Sequence, residues 1–132
     1  MQELIRVAVD AMGGDNAPAE IVKGAVEALK ASTDLKVILV GQEEAVQQEL
    51  SKYQYDASRM EVVNATEIIE MAEPPVQAIR SKKDSSIVVA MKLVKNGEAD
   101  AFVGAGSTGA VLVGGQLIVG RLKGVERPPL AP

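Results

Sequence analysis

Short apolar bursts alternate with longer stretches of helical spacing along the chain. Residues 5–9 form a run rich in β-branched side chains that closes at Asp10, and residues 36–40 form a second run stopped by Gly41. Residues 60–63 and 101–103 are two more short runs of the same kind. Each has the length and composition of a buried strand. Between the first two, Ile21, Val22, Ala25, Val26 and Leu29 recur at the spacing of one helical face. Pro18 suits the first turn of that helix, either Asp15 or Asn16 can cap it, and Ser32, Thr33 and Asp34 break it. Residues 43–53 predict a more polar helix with Ala45, Val46, Leu50 and Tyr53 turned inward, followed by a loop over 55–59.

The second half is less regular. Residues 67–70 have no clear period, and Pro74 and Pro75 force a break. Residues 76–82 predict a short helix. Ser85 or Ser86 can cap the next one, which places Ile87, Val88, Met91 and Val94 on one face and ends at Gly97. After the fourth strand, a glycine-rich turn over 104–109 leads into residues 110–122, a helix apolar almost all round. Such a helix is buried on every side. The preceding elements can cover only one side of it, so residues 1–132 read as one α/β domain that is incomplete. The expectation is that more sequence follows Pro132 or that a partner subunit covers the helix. Left uncovered, it should drive self-association. Residues 127–132 read as an extended tail.

The order β-α-β-α-β-α-α-β-α predicts a three-layer fold, a mostly parallel sheet with helices on both faces. Composition narrows the function. Aromatics are 2% of 132 residues, which argues against a base-stacking platform, and the net charge of −4 disfavours nucleic acid. With no Cys and no His, the chain offers no thiolate metal site, no Cys nucleophile and no Ser-His-Asp triad of its own. Residues 1–10 do not resemble a signal peptide, and the longest apolar run is too short to span a bilayer. A cytoplasmic protein is the expectation.

Ligands of open parallel sheets bind outside the carboxyl ends of the strands. Two of the four loops there are glycine-rich and open helices: the one with Gly13, Gly14 and Asp15, and the one with Gly104, Gly106 and Gly109. Free N–H groups at such helix starts attract anions. Either loop alone could be a mere tight turn; two on one edge favour a shared anion site. The second loop also fits G-x-G-x-x-G, the dinucleotide fingerprint. However, the acidic residue about 20 positions on, Glu126, does not end a strand. It therefore reads as a phosphate or oxyanion cradle, with Ser107 and Thr108 adding hydroxyl donors. Asp10, at a strand end, should be partly buried and face the crevice, whereas Asp15 alone reads more simply as a cap. Arg80, Lys82 and Lys83 form a basic cluster that could be a solvated face or a dock for an acidic partner.

The sequence Ala8-Val9-Asp10-Ala11-Met12-Gly13-Gly14-Asp15, followed by Ala17-Pro18, closely resembles the opening of the bacterial phosphate acyltransferases. The resemblance continues through Ile68-Ile69-Glu70-Met71, Pro74-Pro75, Lys82-Lys83-Asp84-Ser85-Ser86, residues 97–100, Ala105-Gly106 and Thr108-Gly109-Ala110. It ends with Gly120-Arg121-Leu122-Lys123-Gly124 and Arg127-Pro128, so it covers nearly the whole chain in order. Asn16 stands where the family often has His, and Ser107 where it commonly has Asn. Family members are much longer, so the resemblance marks an N-terminal portion. It implies an architecture similar to isopropylmalate dehydrogenase and phosphotransacetylase, and transfer of a fatty acyl group from acyl-[acyl-carrier-protein] to inorganic phosphate. The acyl phosphate formed serves phospholipid synthesis.

On that reading Asp10, Asp15, Ser107 and Thr108 are the catalytic candidates. Gly13, Gly14, Asn16, Gly104, Gly106 and Gly109 are the phosphate or substrate contacts, and Arg80, Lys82 and Lys83 dock the acyl carrier protein. The resemblance implies no cofactor, no metal and no nucleic acid. It implies a homodimer peripheral to the inner face of the membrane, beside a membrane glycerol-phosphate acyltransferase. Two alternatives stand beside it: a nicotinamide-dependent oxidoreductase using the loop over 104–109, and a non-catalytic docking or assembly fragment.

Overall fold

A computed structural model describes residues 4–14, 16–69 and 74–104 of the chain. Its elements follow in the order β1 (Ile5–Asp10), α1 (Ala19–Ala31), β2 (Leu35–Gly41), α2 (Glu43–Leu50), a 3-10 turn (Ala57–Arg59), β3 (Met60–Asn64), α3 (Pro75–Ser81), α4 (Ser86–Lys95) and β4 (Ala101–Val103). All four expected strands form, and the first three run a residue or two longer than the apolar bursts. The apolar stretch over 110–122 and the tail lie outside the described residues.

The strands make one sheet in the order β3-β2-β1-β4. Every pairing is parallel: Ile5 aligns with Leu35, Val37 with Met60, and Val7 with Ala101. Alternation along the strands divides the core between two faces. On one face Val37 and Leu39 pack under Val22, Ala25, Val26 and Leu29 of α1 and Val46 and Leu50 of α2. On the other, Ala8, Ile38 and Val40 pack with Ala90 of α4, and with Ala65 and Ala99. A satellite cluster of Ile69, Ala78, Ile79, Ile87, Val88 and Met91 joins α3 to α4. The described residues thus form the expected three layers. Toward β4 the α1 face opens into an apolar groove of about 410 Å³, where Val7, Val9 and Val103 meet Ile21, Gly24 and Ala28.

Three helix ends depart from expectation, the simplest being α2, which stops at Leu50 and not at Tyr53. A turn over 16–18 precedes α1, and Pro18 holds the cap position with no side-chain hydrogen bond. Asn16 meets the first turn through its backbone, whose carbonyl accepts from Glu20 N–H at 3.1 Å. Asp15 lies outside the described residues. At the other end of α1, Arg59 reaches back from the 3-10 turn, where the sequence suggested only loop. It donates to the carbonyls of Leu29 (3.0 Å), Ser32 (2.7 Å) and Leu35 (3.2 Å). By contrast, α4 starts and stops as expected: Ser85 Oγ accepts from Val88 N–H at 3.2 Å, and Gly97 follows the helix at φ +77°.

Candidate functional site

In this strand order the chain winds outward through β1, β2 and β3, then crosses back to place β4 on the other side of β1. The reversal falls between β1 and β4, the place in an open parallel sheet where ligands bind outside the carboxyl ends of the strands. Val9 pairs with Val103, which sets Asp10 beside Gly104 at that edge. The first glycine turn therefore leaves the sheet next to Gly104. Arg6 fastens the arrangement at the opposite ends of the strands. Its guanidinium donates to Asp100 Oδ1 (3.2 Å) and to Gly97 O (2.8 Å), and its backbone N–H to Asp100 Oδ2 (2.8 Å).

Asp10 is buried, only 1% exposed, which is deeper than a strand terminus alone would dictate. The reason is α4, which packs across the sheet and brings Ser86 onto the carboxylate. Ser86 Oγ donates to Asp10 Oδ1 at 2.5 Å, and the same oxygen accepts from Met12 N–H at 3.0 Å. Burial raises the Asp10 pKa above the ordinary 3.8, while the Ser86 hydroxyl and the Met12 and Gly13 amides favour the charged form. The carboxylate thus turns inward and ties the first loop down. Within that loop Gly13 is buried, whereas Gly14 is exposed and adopts φ +94°. Few side chains tolerate that backbone conformation, which accounts for glycine there.

The neighbouring loops are bound to the same frame. Ala11 N–H donates to Val40 O (2.9 Å) and Ala65 N–H to Gly41 O (2.8 Å), so the exits of β1, β2 and β3 are stitched in series. Asn64 Oδ1 accepts from Glu43 N–H at 3.1 Å and caps α2 from a different strand. Asp84 Oδ2 accepts from both the N–H and the hydroxyl of Thr66, which hold its pKa below the usual carboxylate value. Glu67 and Ser85 form a single parallel bridge, in which Ser86 N–H donates to Glu67 O at 3.1 Å. Asn64, Thr66, Asp84 and Ser86 are positions that local pattern did not mark as site residues. The one available signal was the polar run of residues 82–86 just before an apolar helix.

The expected site residues divide accordingly. Asp10, Gly13 and Gly14 after β1 and Gly104 after β4 lie at the carboxyl edge of the sheet, and Asn16 is exposed in the turn before α1. Asp15, Gly106, Ser107, Thr108 and Gly109 lie outside the described residues. Arg80 and Lys83 are exposed on α3 and the turn after it. Lys82 is half-buried, and its Nζ donates to Ile68 O at 2.8 Å. Among the described residues no group of three His, Cys, Asp or Glu could hold a metal ion. No described helix is long and apolar enough to cross a membrane.

Comparison with known proteins places this edge in context. The chain is 55% identical over 126 residues to a protein of Syntrophomonas wolfei named phosphate acyltransferase, covering 96% of this chain and 39% of that protein. It is 51% identical to a phosphate acyltransferase of Clostridioides difficile, covering 96% and 37%, and 52% identical to one of Clostridium beijerinckii, covering 97% and 38%. The chain therefore spans less than two-fifths of the length of these curated relatives. Residues 5–132 match the family described as fatty acid synthesis protein. With the strand order, the glycine turn after β1 and that match in hand, the chain belongs to the fatty acid synthesis protein family.

Proposed function

We propose that the protein carrying this chain transfers a fatty acyl group from acyl-[acyl-carrier-protein] to inorganic phosphate. A phosphate oxygen attacks the thioester carbonyl carbon, the carbon–sulfur bond breaks, and the carrier's thiolate leaves and takes up a proton. The product is acyl phosphate for phospholipid synthesis. The observation that carries this reading is the β1–β4 pairing of Val9 with Val103, which brings Asp10 and Gly104 side by side at the carboxyl edge of the sheet. Phosphate is a nucleophile near neutral pH and needs little base assistance; it needs alignment with the carbonyl and stabilisation of the developing oxyanion. Backbone N–H groups of Gly14, Gly104, Gly106 and Gly109 and the hydroxyls of Ser107 and Thr108 suit both tasks without Cys or His, while Gly13, whose own N–H is held by Asp10, shapes the turn.

Direct transfer is favoured over a covalent acyl-enzyme on Ser107. Asp10 orders the first turn, Asp15 and Asn16 border it, and Arg80, Lys82 and Lys83 supply positive charge for an acidic carrier protein. A homodimer at the inner face of the membrane, handing its product to a membrane glycerol-phosphate acyltransferase, completes the reading. The test is acyl phosphate formation by the full-length protein from acyl carrier thioester and phosphate, trapped with hydroxylamine. Replacing Gly106 with Val should abolish turnover without unfolding the enzyme, because a branched side chain fills the cradle. Unchanged phosphate saturation and turnover in that variant would refute the cradle.

A further inference from the structure

The buried carboxylate of Asp10 has no Lys or Arg partner among the described ion pairs. Its acceptors are satisfied by one hydroxyl and by backbone N–H groups of its own loop. The hydroxyl is the only one of those donors that comes from elsewhere in the fold: Ser86 lies 76 residues away in sequence, at the first position of α4. Ser86 is itself 1% exposed, and its backbone N–H is spent on Glu67 O. Ser85, its neighbour, is equally buried but has a different task, capping α4 through Val88 N–H. Two adjacent serines thus divide the work: one closes the helix, the other reaches across to the β1 exit loop.

We propose that Ser86 is a positioning residue: by donating to Asp10 Oδ1 it fixes the carboxylate that gathers the Met12 and Gly13 amides, and so sets the shape of the first glycine turn. The consequence for phosphate rests on the proposed function; the effect on the turn does not. Without the hydroxyl, Oδ1 loses a short charge-assisted bond, and the carboxylate has to seek another donor in a site that water barely reaches. The turn that hangs from it then samples other arrangements. A fixed set of N–H groups binds an anion better than a mobile one, because less ordering is required at binding.

Hydrogen exchange of the full-length protein, read by mass spectrometry on the peptide spanning Met12 and Gly13, tests this. Ser86→Ala should accelerate exchange there by about tenfold or more, as expected for one lost bond to a charged group. Ser86→Thr, which keeps the hydroxyl, should restore it. Ser85→Ala is the control, since it weakens the same helix without touching Asp10. Equal exchange at Met12 and Gly13 in the Ser85→Ala and Ser86→Ala variants, or no change in either, overturns the proposal. If Ser86→Ala does not fold, Ser86→Cys, nearly isosteric but a weaker donor, must shift exchange in the same direction for the proposal to stand.

The same peptide reports inorganic phosphate. Phosphate should slow its exchange in the wild type, with the half-saturating concentration raised about tenfold by Ser86→Ala. No protection by phosphate in the wild type would overturn the anion reading of the site, leaving the Ser86 effect to be decided by the phosphate-free exchange. Equal phosphate saturation in wild type and Ser86→Ala would overturn the positioning role in binding.

Discussion

Replacing Arg59 with Met removes the guanidinium and keeps most of the apolar stem. The head group ends α1 and joins it to β2, with donors at 3.0, 2.7 and 3.2 Å from the carbonyls of Leu29, Ser32 and Leu35. Its side chain is only 18% exposed, so solvent replaces these bonds poorly. One hydrogen bond from a charged donor contributes about 1.5–3 kcal/mol, and a cation at a helix C-terminus about 0.3–1 kcal/mol. Since the three carbonyls are partly reachable by water once the head group is gone, the expected net loss is about 2–4 kcal/mol. Urea unfolding should show the midpoint falling with the slope unchanged, since the surface exposed on unfolding stays the same. Asp56→Asn, which removes an exposed ion-pair partner of Arg59, should leave the midpoint near wild type. A Met variant within about 0.5 kcal/mol of wild type would show that water caps the helix as well as Arg59 does, and the argument would fail.

Asp100 is held below the usual carboxylate pKa by the Arg6 side chain and backbone N–H, so its contribution is present above 3.8 and is lost as pH falls through its folded value. Asp100→Asn should therefore flatten the acid limb of a stability–pH curve as pH falls from 3.8 through that value, and an unaltered limb would contradict it. Asp10 has the opposite sign: burial raises its pKa, so its contribution is complete below 3.8 and declines as pH rises through the folded value. Urea titrations from acid to neutral pH should show Asp10→Asn gaining on wild type as pH rises. At Gly41 an added Cβ would lie 2.8 Å from Cγ and Sδ of Met12 and 3.3 Å from Ala11 Cβ. Gly41→Ala should cost about 1–3 kcal/mol, and clearly less in a Met12→Ala background, a coupling that a double-mutant cycle measures. Titration with NADH, followed by its fluorescence, should show no saturable binding; a saturable signal would revive the oxidoreductase alternative.

The chain's own pattern was enough to place β1 to β4 and α1 to α4, because strand and helix periodicities are local properties of who is apolar at which spacing. Ser85 as a cap and Gly97 as a stop were legible for the same reason: each acts on backbone within a few residues of itself. The glycine turn after β1 was legible too, since Gly14 takes a backbone conformation that few other residues tolerate. What the sequence could not contain was pairing order. That β4 returns to lie beside β1, bringing Gly104 next to Asp10, depends on which surfaces bury best together over long separations. The same holds for Arg59 capping α1, for Asn64 capping α2, and for Ser86 reaching Asp10. Each is a polar group in a segment with no strong local signature, and its partner is chosen only when hydrophobic packing of the helices has set the distance. Local periodicity decided the elements; burial of their apolar faces against one another decided which polar groups would meet.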